Sequence, residues 1–276
     1  MRVGQEELPD VNRYLARHRD EPLEGKERHF QTILRRIRRV RPLDGSCELL
    51  EVGIGTGWFP ILCARAGLRC KGLEISPQLA AHARELGRRY GAEPDIEVGN
   101  IEDFPLGAER YDAVIAQSTF EHVERWRQAL ANIFRALKPG GLLYFYSTNK
   151  FMLWRSGEYR FPFYGWLPDR WRYRLRIARQ GPEIMRLGID FNQFTWGQLR
   201  RAFRRLGFAR VLDPLAFIHP DDLNRPTFWK RALLRTLRAL PPVKHLALTF
   251  LYPGTYFICV KQPPAGSQPA GGSGRR

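Results

Sequence analysis

The chain has 276 residues, 43% of them hydrophobic and 12% aromatic, which suffices for a full catalytic domain with additions and excludes disorder throughout. Its formal net charge of +17 indicates that an anionic partner has to be considered. The excess lies in residues 154–276, which hold 22 Lys and Arg against 7 Asp and Glu, whereas residues 45–153 are nearly neutral with 12 against 13.

Cysteine and hydropathy patterns exclude several classes of protein. The four cysteines show no CxxC pair and no histidine cluster at zinc spacing, so we expect neither a metal site nor a disulfide framework. The N-terminus lacks the apolar segment of a secretory signal and does not resemble a transit peptide. The longest uncharged stretch near the C-terminus, residues 246–260, is shorter than the ~20 residues of a spanning helix and contains Pro253. These features predict a cytoplasmic protein that does not cross a membrane.

Helix and strand patterns alternate along the first half of the chain. Residues 25–41 predict an amphipathic helix, because apolar residues recur at helical spacing and arginines fill the other face before Pro42 ends it. Short apolar runs then alternate with segments that can be helices. The five predicted strands are residues 48–52, 70–73, 96–98, 111–116 and 142–147. This alternation is typical of a parallel sheet.

Punctuating residues mark the ends of the predicted helices. Ser76 and Pro77 supply an N-cap and a first-turn proline, and Gly87 or Gly91 closes that helix. The run 138–141, Lys-Pro-Gly-Gly, ends another helix and turns into the fifth strand. Thr195 and Gln198 match a capping box before a helix at 199–206 that Gly207 ends.

The chain divides into five predicted segments. Residues 1–44 are an N-terminal helical extension, and 45–150 form the core of the sheet. Residues 151–194 read as an insertion after the fifth strand, since twelve of the chain's 34 aromatic residues lie between positions 151 and 196. Residues 195–262 complete the core with strands at 208–212 and 256–260 and a basic helix at 225–240, in which four leucines share one side. Residues 263–276 are rich in Pro, Gly and Ser and predict a disordered tail.

A glycine-rich turn follows the first predicted strand. Gly53, Gly55 and Gly57 stand at alternate positions and let a ligand approach the backbone, although a tight turn with close strand–helix packing explains the same pattern. Glu74 ends the second strand, 23 residues after Glu51, where a carboxylate can accept hydrogen bonds from both ribose hydroxyls of a nucleoside. The spacing GxGxG differs from the dinucleotide pattern GxGxxG. A buried Glu51 beside the glycines suits a cationic amino-acid part better than a pyrophosphate.

In order and spacing, a set of motifs resembles the class I S-adenosylmethionine-dependent methyltransferases, in particular the small-molecule branch called type 11. The motifs are Glu51-Val-Gly-Ile-Gly-Thr-Gly57, Glu74-Ile75, Gly99-Asn-Ile-Glu-Asp-Phe-Pro105, Tyr111-Asp-Ala-Val114, Glu121-His-Val123 and Leu137-Lys-Pro-Gly-Gly141. The resemblance covers about residues 45–150 and the last two strands. It implies a Rossmann-like α/β fold with a seven-stranded, mostly parallel sheet flanked by helices, whose last strand is antiparallel.

The resemblance also implies a cofactor site for S-adenosylmethionine. The glycines at 53, 55 and 57 would pass close to the methionine part, with Glu51 near its ammonium group and Glu74 on the ribose. Gln117 at the end of the fourth strand would be the next residue near the methionine part. The remaining implied contacts are Ile75 after Glu74, and Asn100 with Ile101 beside the adenine. Many relatives carry aspartate at the position of Asn100, but an amide oxygen can accept the same hydrogen bond.

Two features bear on the methyl acceptor. His122 follows the fourth strand on the ligand side of the sheet and is the candidate general base, while a helix-start histidine satisfied by backbone explains its position equally. The run 117–120 has neither the Pro-Pro-aromatic pattern nor the cysteine typical, within the family, of enzymes that methylate nucleobases. Transfer to oxygen on a small or lipid-linked acceptor is therefore favoured.

The insertion is expected to supply the acceptor pocket, because loops beyond the fifth strand overhang the carboxyl edge of such a sheet. It combines aromatic residues with arginines, which suits an acceptor that is partly apolar and partly anionic. The aromatics are Trp154, Tyr159, Phe161, Phe163, Tyr164, Trp166, Trp171 and Tyr173, and the arginines are Arg155, Arg160, Arg170, Arg172, Arg174, Arg176 and Arg179. A small subdomain with its aromatics packed inward and a solvated arginine face explains the same composition.

Three alternatives for partners and function stay open at this point. The insertion and two further basic elements, 35–41 and 225–238, suit peripheral contact with an anionic membrane surface, although each also reads as a solvated helix face. The charge of the C-terminal half fits an RNA-binding or RNA-modifying protein on the same fold, but no known RNA-binding motif is present. An NAD-dependent oxidoreductase would use the same glycine and glutamate geometry. The oligomeric state does not follow from the sequence.

Overall fold

We describe the protein from a computed structural model, which places residues 15, 22–153, 162–181, 192–219, 222 and 227–263. The predicted insertion residues Trp154, Arg155, Tyr159, Arg160 and Phe161 lie outside the described residues. So does the predicted tail from position 264 onward.

The centre of the molecule is a seven-stranded sheet with the order β3-β2-β1-β4-β5-β7-β6. Its strands are β1 (Glu48–Val52), β2 (Arg69–Glu74), β3 (Asp95–Val98), β4 (Tyr111–Gln117), β5 (Leu137–Thr148), β6 (Phe208–Leu212) and β7 (Gly254–Lys261). The pairs among β1 to β5 are parallel, and β7 is antiparallel to both β5 and β6. The predicted Rossmann-like sheet with an antiparallel last strand is confirmed. Since β1 lies between β2 and β4, the chain switches direction there and opens a crevice at the carboxyl edge.

Helices cover both faces of the sheet. They are α1 (Glu24–Arg38), α2 (Trp58–Arg65), α3 (Pro77–Arg89), α4 (Trp126–Ala136), α5 (Asp169–Gln180), α6 (Trp196–Leu206), α7 (Pro214–Phe217), α8 (Phe228–Ala239) and α9 (Pro241–Phe250). Successive residues of β5 show the two layers, because side chains alternate along a strand. Tyr144 accepts a hydrogen bond from Arg36 of α1 at 3.4 Å, whereas the ring of Phe145 packs edge-on against Phe203 of α6.

Most predicted element boundaries agree with the structure. Ser76 caps α3, accepting a hydrogen bond from the Leu79 amide at 3.3 Å, and Gly91 rather than Gly87 follows that helix. Thr195 caps α6, which ends at Gly207 in a left-handed conformation. The largest difference is β5, which begins five residues before the predicted position 142 because Leu137 already pairs with Tyr111 of β4.

The N-terminal helix is tied to the body of the protein by ion pairs. Asp222, whose side chain is fully buried, lies 3.0 Å from Arg35, 3.6 Å from Arg36 and 2.6 Å from Arg39. Arg41 pairs with Asp112, which also binds Lys138. Four of the five arginines in the predicted cationic face at 35–41 are therefore engaged by carboxylates within the molecule.

The described part of the insertion packs only some of its aromatics inward. Tyr164 is buried, whereas Phe163, Trp166 and Trp171 are 44–51% exposed. Its arginines divide in the same way, because Arg172 and Arg176 are buried and Arg170, Arg174 and Arg179 are exposed. Arg172 forms an ion pair with Asp169 at 3.2 Å, and its guanidinium lies over the ring of Tyr164.

The predicted apolar side of the basic helix is also only partly buried. In α8, Leu234 is buried and Leu237 half-buried, but Leu233 is 59% exposed and Leu240, just after the helix, is 47% exposed. None of the helices described is both long enough and apolar enough to span a bilayer. The described residues also contain no group of three potential metal ligands.

Candidate cofactor site and acceptor cleft

The glycine turn joins β1 to α2 at the carboxyl edge of the sheet. Gly53, Gly55 and Gly57 all have positive φ angles, of 71°, 56° and 80°, which favour glycine. A Cβ on Gly53 would lie 2.4 Å from Thr119 Oγ1, and one on Gly57 would lie 2.3 Å from the Cβ of Ala83. Close packing thus explains two of the glycines, and the same packing brings α3 and the end of β4 up to the turn.

Glu74 links the turn to the start of α3. Its carboxylate accepts hydrogen bonds from the Gly55 amide at 3.1 Å and from the Ser76 amide at 3.1 Å. Burial raises the pKa of Glu74, and the backbone amides oppose that effect. Each carboxylate oxygen keeps a second lone pair that a ribose hydroxyl could use.

Glu51 is the most unusual ionisable group of this region. Its side chain is 3% exposed, and its Oε2 atom has no hydrogen-bond partner among the described residues. Burial raises the pKa of Glu51 well above its ordinary range, with Cys70 and Glu74 adding to the effect. A buried carboxylate oxygen without a partner is costly. This position therefore suits a cationic ligand group.

The ends of β2 and β3 form an apolar ledge beside Glu74. Ile75 is 40% exposed, and Val98 at the end of β3 is 42% exposed. Asn100 uses its side-chain oxygen to accept a hydrogen bond from the Glu102 amide at 3.0 Å, and the adjacent Ile101 is buried. The apolar ledge can cover one face of an adenine ring. The turn at 100–103 would then lie along the edge of that ring.

The N-terminal helix contributes a residue that the sequence analysis missed. Gln117, at the end of β4, has its side-chain oxygen 3.1 Å from Nε2 of His29 in α1, and the ring of His29 packs against Trp58 at the start of α2. The Nε2 atom of Gln117 is buried without a hydrogen-bond partner among the described residues. Desolvation is the main cause that lowers the pKa of His29, although the residue as a whole is exposed. No sequence pattern marks this residue.

The loop after β4 carries the predicted base. His122 is half-buried on the single 3-10 turn Phe120–His122, and its amide donates to the Thr119 carbonyl. The neighbouring Glu121 is buried and accepts a 2.5 Å hydrogen bond from Ser147. Asn192, near the end of the insertion, donates to the carbonyls of Phe120 and Val123. The insertion is thus anchored on the loop that holds His122.

A cleft of about 360 Å³ opens between the end of β5 and the insertion. It is lined by Lys150, Gly165, Trp166, Leu167, Pro168, Asp169, Arg172, Asn192 and Gln193. The lining combines two cationic side chains and one carboxylate with the exposed ring of Trp166. A cleft of this composition, beyond the carboxyl edge, fits an acceptor with an anionic and an apolar part.

The residues present fit S-adenosylmethionine on three observations. Oε2 of Glu51 and Nε2 of Gln117, which find no hydrogen-bond partner in the part of the chain that the structure describes, suit the amino-acid end. Glu74 with Ile75 suits the adenosine end. Six of the nine predicted cofactor residues lie at the ends of β1, β2 and β4 or in the turn after β1, and Ile75, Asn100 and Ile101 lie in the loops after β2 and β3. All of them are therefore at one edge of the sheet.

Comparison with known proteins agrees with this reading. Residues 50–145 match the protein family described as "Methyltransferase domain". The ubiquinone biosynthesis O-methyltransferase of Methylobacterium sp. is 31% identical over 111 residues, which are 40% of this chain and 44% of that protein. A probable S-adenosylmethionine-dependent methyltransferase of Mycolicibacterium smegmatis is 32% identical over 103 residues, 37% of this chain and 38% of that protein. The chain spans less than half of the length of these relatives.

The solved structures show the same fold. A putative sarcosine dimethylglycine methyltransferase from Galdieria sulphuraria superposes with a TM-score of 0.55 at 16% identity, covering 88% of this chain and 91% of that one. Residues 50–145 are thus similar to a methyltransferase domain, and the curated relatives that match this part of the chain include an S-adenosylmethionine-dependent methyltransferase.

Proposed function

We propose that this protein transfers a methyl group from S-adenosylmethionine to a small or lipid-linked acceptor, at an oxygen atom. The observation that carries the proposal is the buried Glu51 carboxylate beside the glycine turn and near Glu74, with one oxygen that no described residue binds. An ammonium group is the natural partner of the first carboxylate and a ribose that of the second. The curated ubiquinone relative, an O-methyltransferase by name, supports transfer to oxygen.

When bound, S-adenosylmethionine supplies a methyl group activated by the positive charge on its sulfur. The protein then has to align the acceptor, exclude water and receive the proton that the acceptor hydroxyl loses. We assign alignment to Gln117 and the cleft, and proton removal to His122. The buried Phe120 and the hydrogen bond from the Thr119 hydroxyl to the Val52 carbonyl close one side of the site to water.

The assignment of His122 can be tested against a second histidine. Removal of a general base costs about 100- to 10,000-fold in rate, so His122→Ala is expected to lower kcat by that order while the affinity for S-adenosylhomocysteine stays unchanged. His29→Ala is the comparison variant: it removes the bond to Gln117 and is expected to weaken S-adenosylhomocysteine binding, while kcat at saturating cofactor stays unchanged. If His29→Ala lowered kcat and His122→Ala did not, the base would be His29.

The acceptor class follows from the cleft. Lys150 and the buried Arg172 suit a carboxylate or phosphate, and the exposed ring of Trp166 suits an aromatic or isoprenoid part. We propose an acceptor that joins such an anionic group to an apolar group. This combination is found in carboxylated aromatic metabolites and in lipid-linked precursors.

The proposal is tested by calorimetry and by a transfer assay. We expect S-adenosylhomocysteine to bind the purified protein and NAD not to bind; NAD binding alone would favour the oxidoreductase alternative. Cell extract separated into lipid, small-molecule, protein and RNA fractions is then incubated with cofactor labelled in its methyl group, with Glu74→Ala as the inactive control. Label in the lipid or small-molecule fraction supports the proposal. Label in RNA alone would replace it with the RNA-modifying alternative.

A further inference from the structure

The helical hairpin α8–α9, inserted between β6 and β7, exposes an unusual set of apolar side chains. Phe228 and Trp229, in the first turn of α8, are 73% and 79% exposed, and their rings pack edge-on against each other with centroids 5.4 Å apart. Further exposed apolar side chains along the hairpin are Leu233, Leu240, Val243, Leu246 and Leu251. Monomeric soluble proteins rarely present large contiguous apolar patches without an interaction partner.

These residues occupy the solvent-exposed half of α8, opposite the buried Leu234. Trp229 and Leu233 are one helical turn apart, and Phe228 and Arg231 are three residues apart, so each pair lies side by side on the surface. Arg231 and Arg235, also one turn apart, are exposed beside the aromatic pair. We call this set, Phe228, Trp229, Arg231, Leu233 and Arg235, the hairpin surface.

The charge around the hairpin surface has one sign. Residues 223–276 contain no Asp or Glu. Lys244 of α9 forms an ion pair with Asp213 at 2.7 Å. Arg238 donates hydrogen bonds to the carbonyls of Leu215 and Ile218. Both cations therefore stabilise the fold. Arg231 and Arg235 instead stand among exposed apolar side chains. By contrast, three arginines at the end of α1 form ion pairs with Asp222.

We propose that the hairpin surface docks on a bilayer that contains anionic lipids. Tryptophan and phenylalanine on one face of a helix, flanked by arginines and without carboxylates, form the pattern by which amphipathic helices lie in the membrane interface. A protein partner or a second copy of this chain would have to supply an acidic surface. This chain is neutral or basic in every large segment.

The hairpin is physically continuous with the acceptor side of the sheet. Asn149, just after β5, donates to the carbonyls of Leu248, Thr249 and Tyr252. Trp166 of the cleft stacks on Phe250 of α9, with ring centroids 6.1 Å apart. A docked hairpin would hold the cleft near the membrane surface. This consequence, that the acceptor is reached from the bilayer, rests on the proposed function, whereas the docking itself does not.

The test is co-sedimentation of the full chain with vesicles, without cofactor or acceptor. We expect binding to vesicles of phosphatidylcholine mixed with phosphatidylglycerol, and much weaker binding to phosphatidylcholine alone. The variant Phe228→Ser/Trp229→Ser is expected to bind at least about tenfold more weakly, since two large side chains no longer enter the interface. Arg231→Gln/Arg235→Gln is expected to lose about tenfold or more on the anionic vesicles only.

The matched control is Arg204→Gln/Arg205→Gln, which removes two exposed arginines from α6 and is expected to bind like the wild type. S-adenosylhomocysteine affinity and the melting temperature, measured on every variant, report whether each one is folded. Unchanged vesicle binding by the aromatic variant overturns the proposal. So does a concentration-dependent dimer that this variant abolishes. If the wild type bound vesicles but had no affinity for S-adenosylhomocysteine, the docking proposal would be supported and the proposed methyl transfer would be refuted.

Discussion

The substitution Glu51→Gln probes the group on which the proposed cofactor site depends. The carboxylate is buried, and one of its oxygens has no partner among the described residues, so a bound ammonium group would complete it. A hydrogen bond to a charged group contributes about 1.5–3 kcal/mol. Each 1.4 kcal/mol is tenfold in affinity, so we expect about 10- to 100-fold weaker binding of S-adenosylhomocysteine.

Calorimetry with two ligands separates this contact from general damage to the site. S-adenosylhomocysteine carries the amino-acid group, whereas 5′-methylthioadenosine lacks it and keeps the adenosine. We expect Glu51→Gln to weaken only the first ligand. Equal weakening of both ligands, or of neither, would refute the assignment of Glu51 to the ammonium group.

The same substitution tests the raised pKa of Glu51. The unfolded chain loses this proton near the ordinary value of 4.5, whereas the folded protein holds it to a higher pH. Between these values the folded state binds more protons, so the stabilising contribution is fully present below 4.5 and is lost as the pH rises through the raised pKa. In urea unfolding, wild type should lose stability relative to Glu51→Gln as the pH increases from 4.5. A constant difference would contradict the reasoning.

Three further predictions concern the surroundings of the site. Gly53→Ala should lower the free energy of unfolding by about 2–5 kcal/mol, because the new side chain combines a left-handed backbone with a clash against Thr119. Adding Thr119→Ala should recover part of this loss in urea unfolding, and no recovery would exclude the clash. His29→Phe keeps a ring against Trp58 but loses the bond to Gln117, so calorimetry should show about fivefold weaker S-adenosylhomocysteine binding, and an unchanged affinity would remove His29 from the site. In Asp222, burial acts to raise the pKa, but the His219 amide and the guanidiniums of Arg39 and Arg36 outweigh it and lower the pKa. Its contribution, about 1 kcal/mol after solvent screening, is present above the ordinary value of 3.8 and lost as the pH falls further, so Asp222→Asn should flatten the acid limb of an unfolding curve.

Local sequence signals predicted the elements that depend on near neighbours. The strand Glu48–Val52 and the caps Ser76 and Thr195 agree with the structure, because apolar runs and capping side chains act over a few residues. The start of β5 was misplaced, since Pro139 and the two following glycines are typical of a turn. Only the pairing of Leu137 with Tyr111 shows that they continue the strand.

Features that depend on distant contacts were not predictable. His29 reaches Gln117 across 88 positions, and no pattern within α1 distinguishes it from a surface histidine. The four leucines at 233, 234, 237 and 240 share one side of the predicted helix by spacing, yet only Leu234 is buried, and Leu240 lies beyond the end of α8. The burial of Arg172 likewise follows from its contacts with Asp169 and Tyr164 rather than from composition.

The two buried carboxylates connect stability to function in this domain. Glu51 pairs with Gly72 in the register of β1 and β2, so its side chain lies on the same face as that of Glu74, two residues further along β2. Burial raises the pKa of both carboxyl groups, and the charge of Glu74 further raises the pKa of Glu51. Backbone amides compensate Glu74, but one oxygen of Glu51 stays unpartnered among the described residues. For stability alone, an apolar residue would be favoured at position 51. The presence of a carboxylate there is explained if a cationic group of the ligand pairs with it. The ligand-free protein is then less stable than the complex.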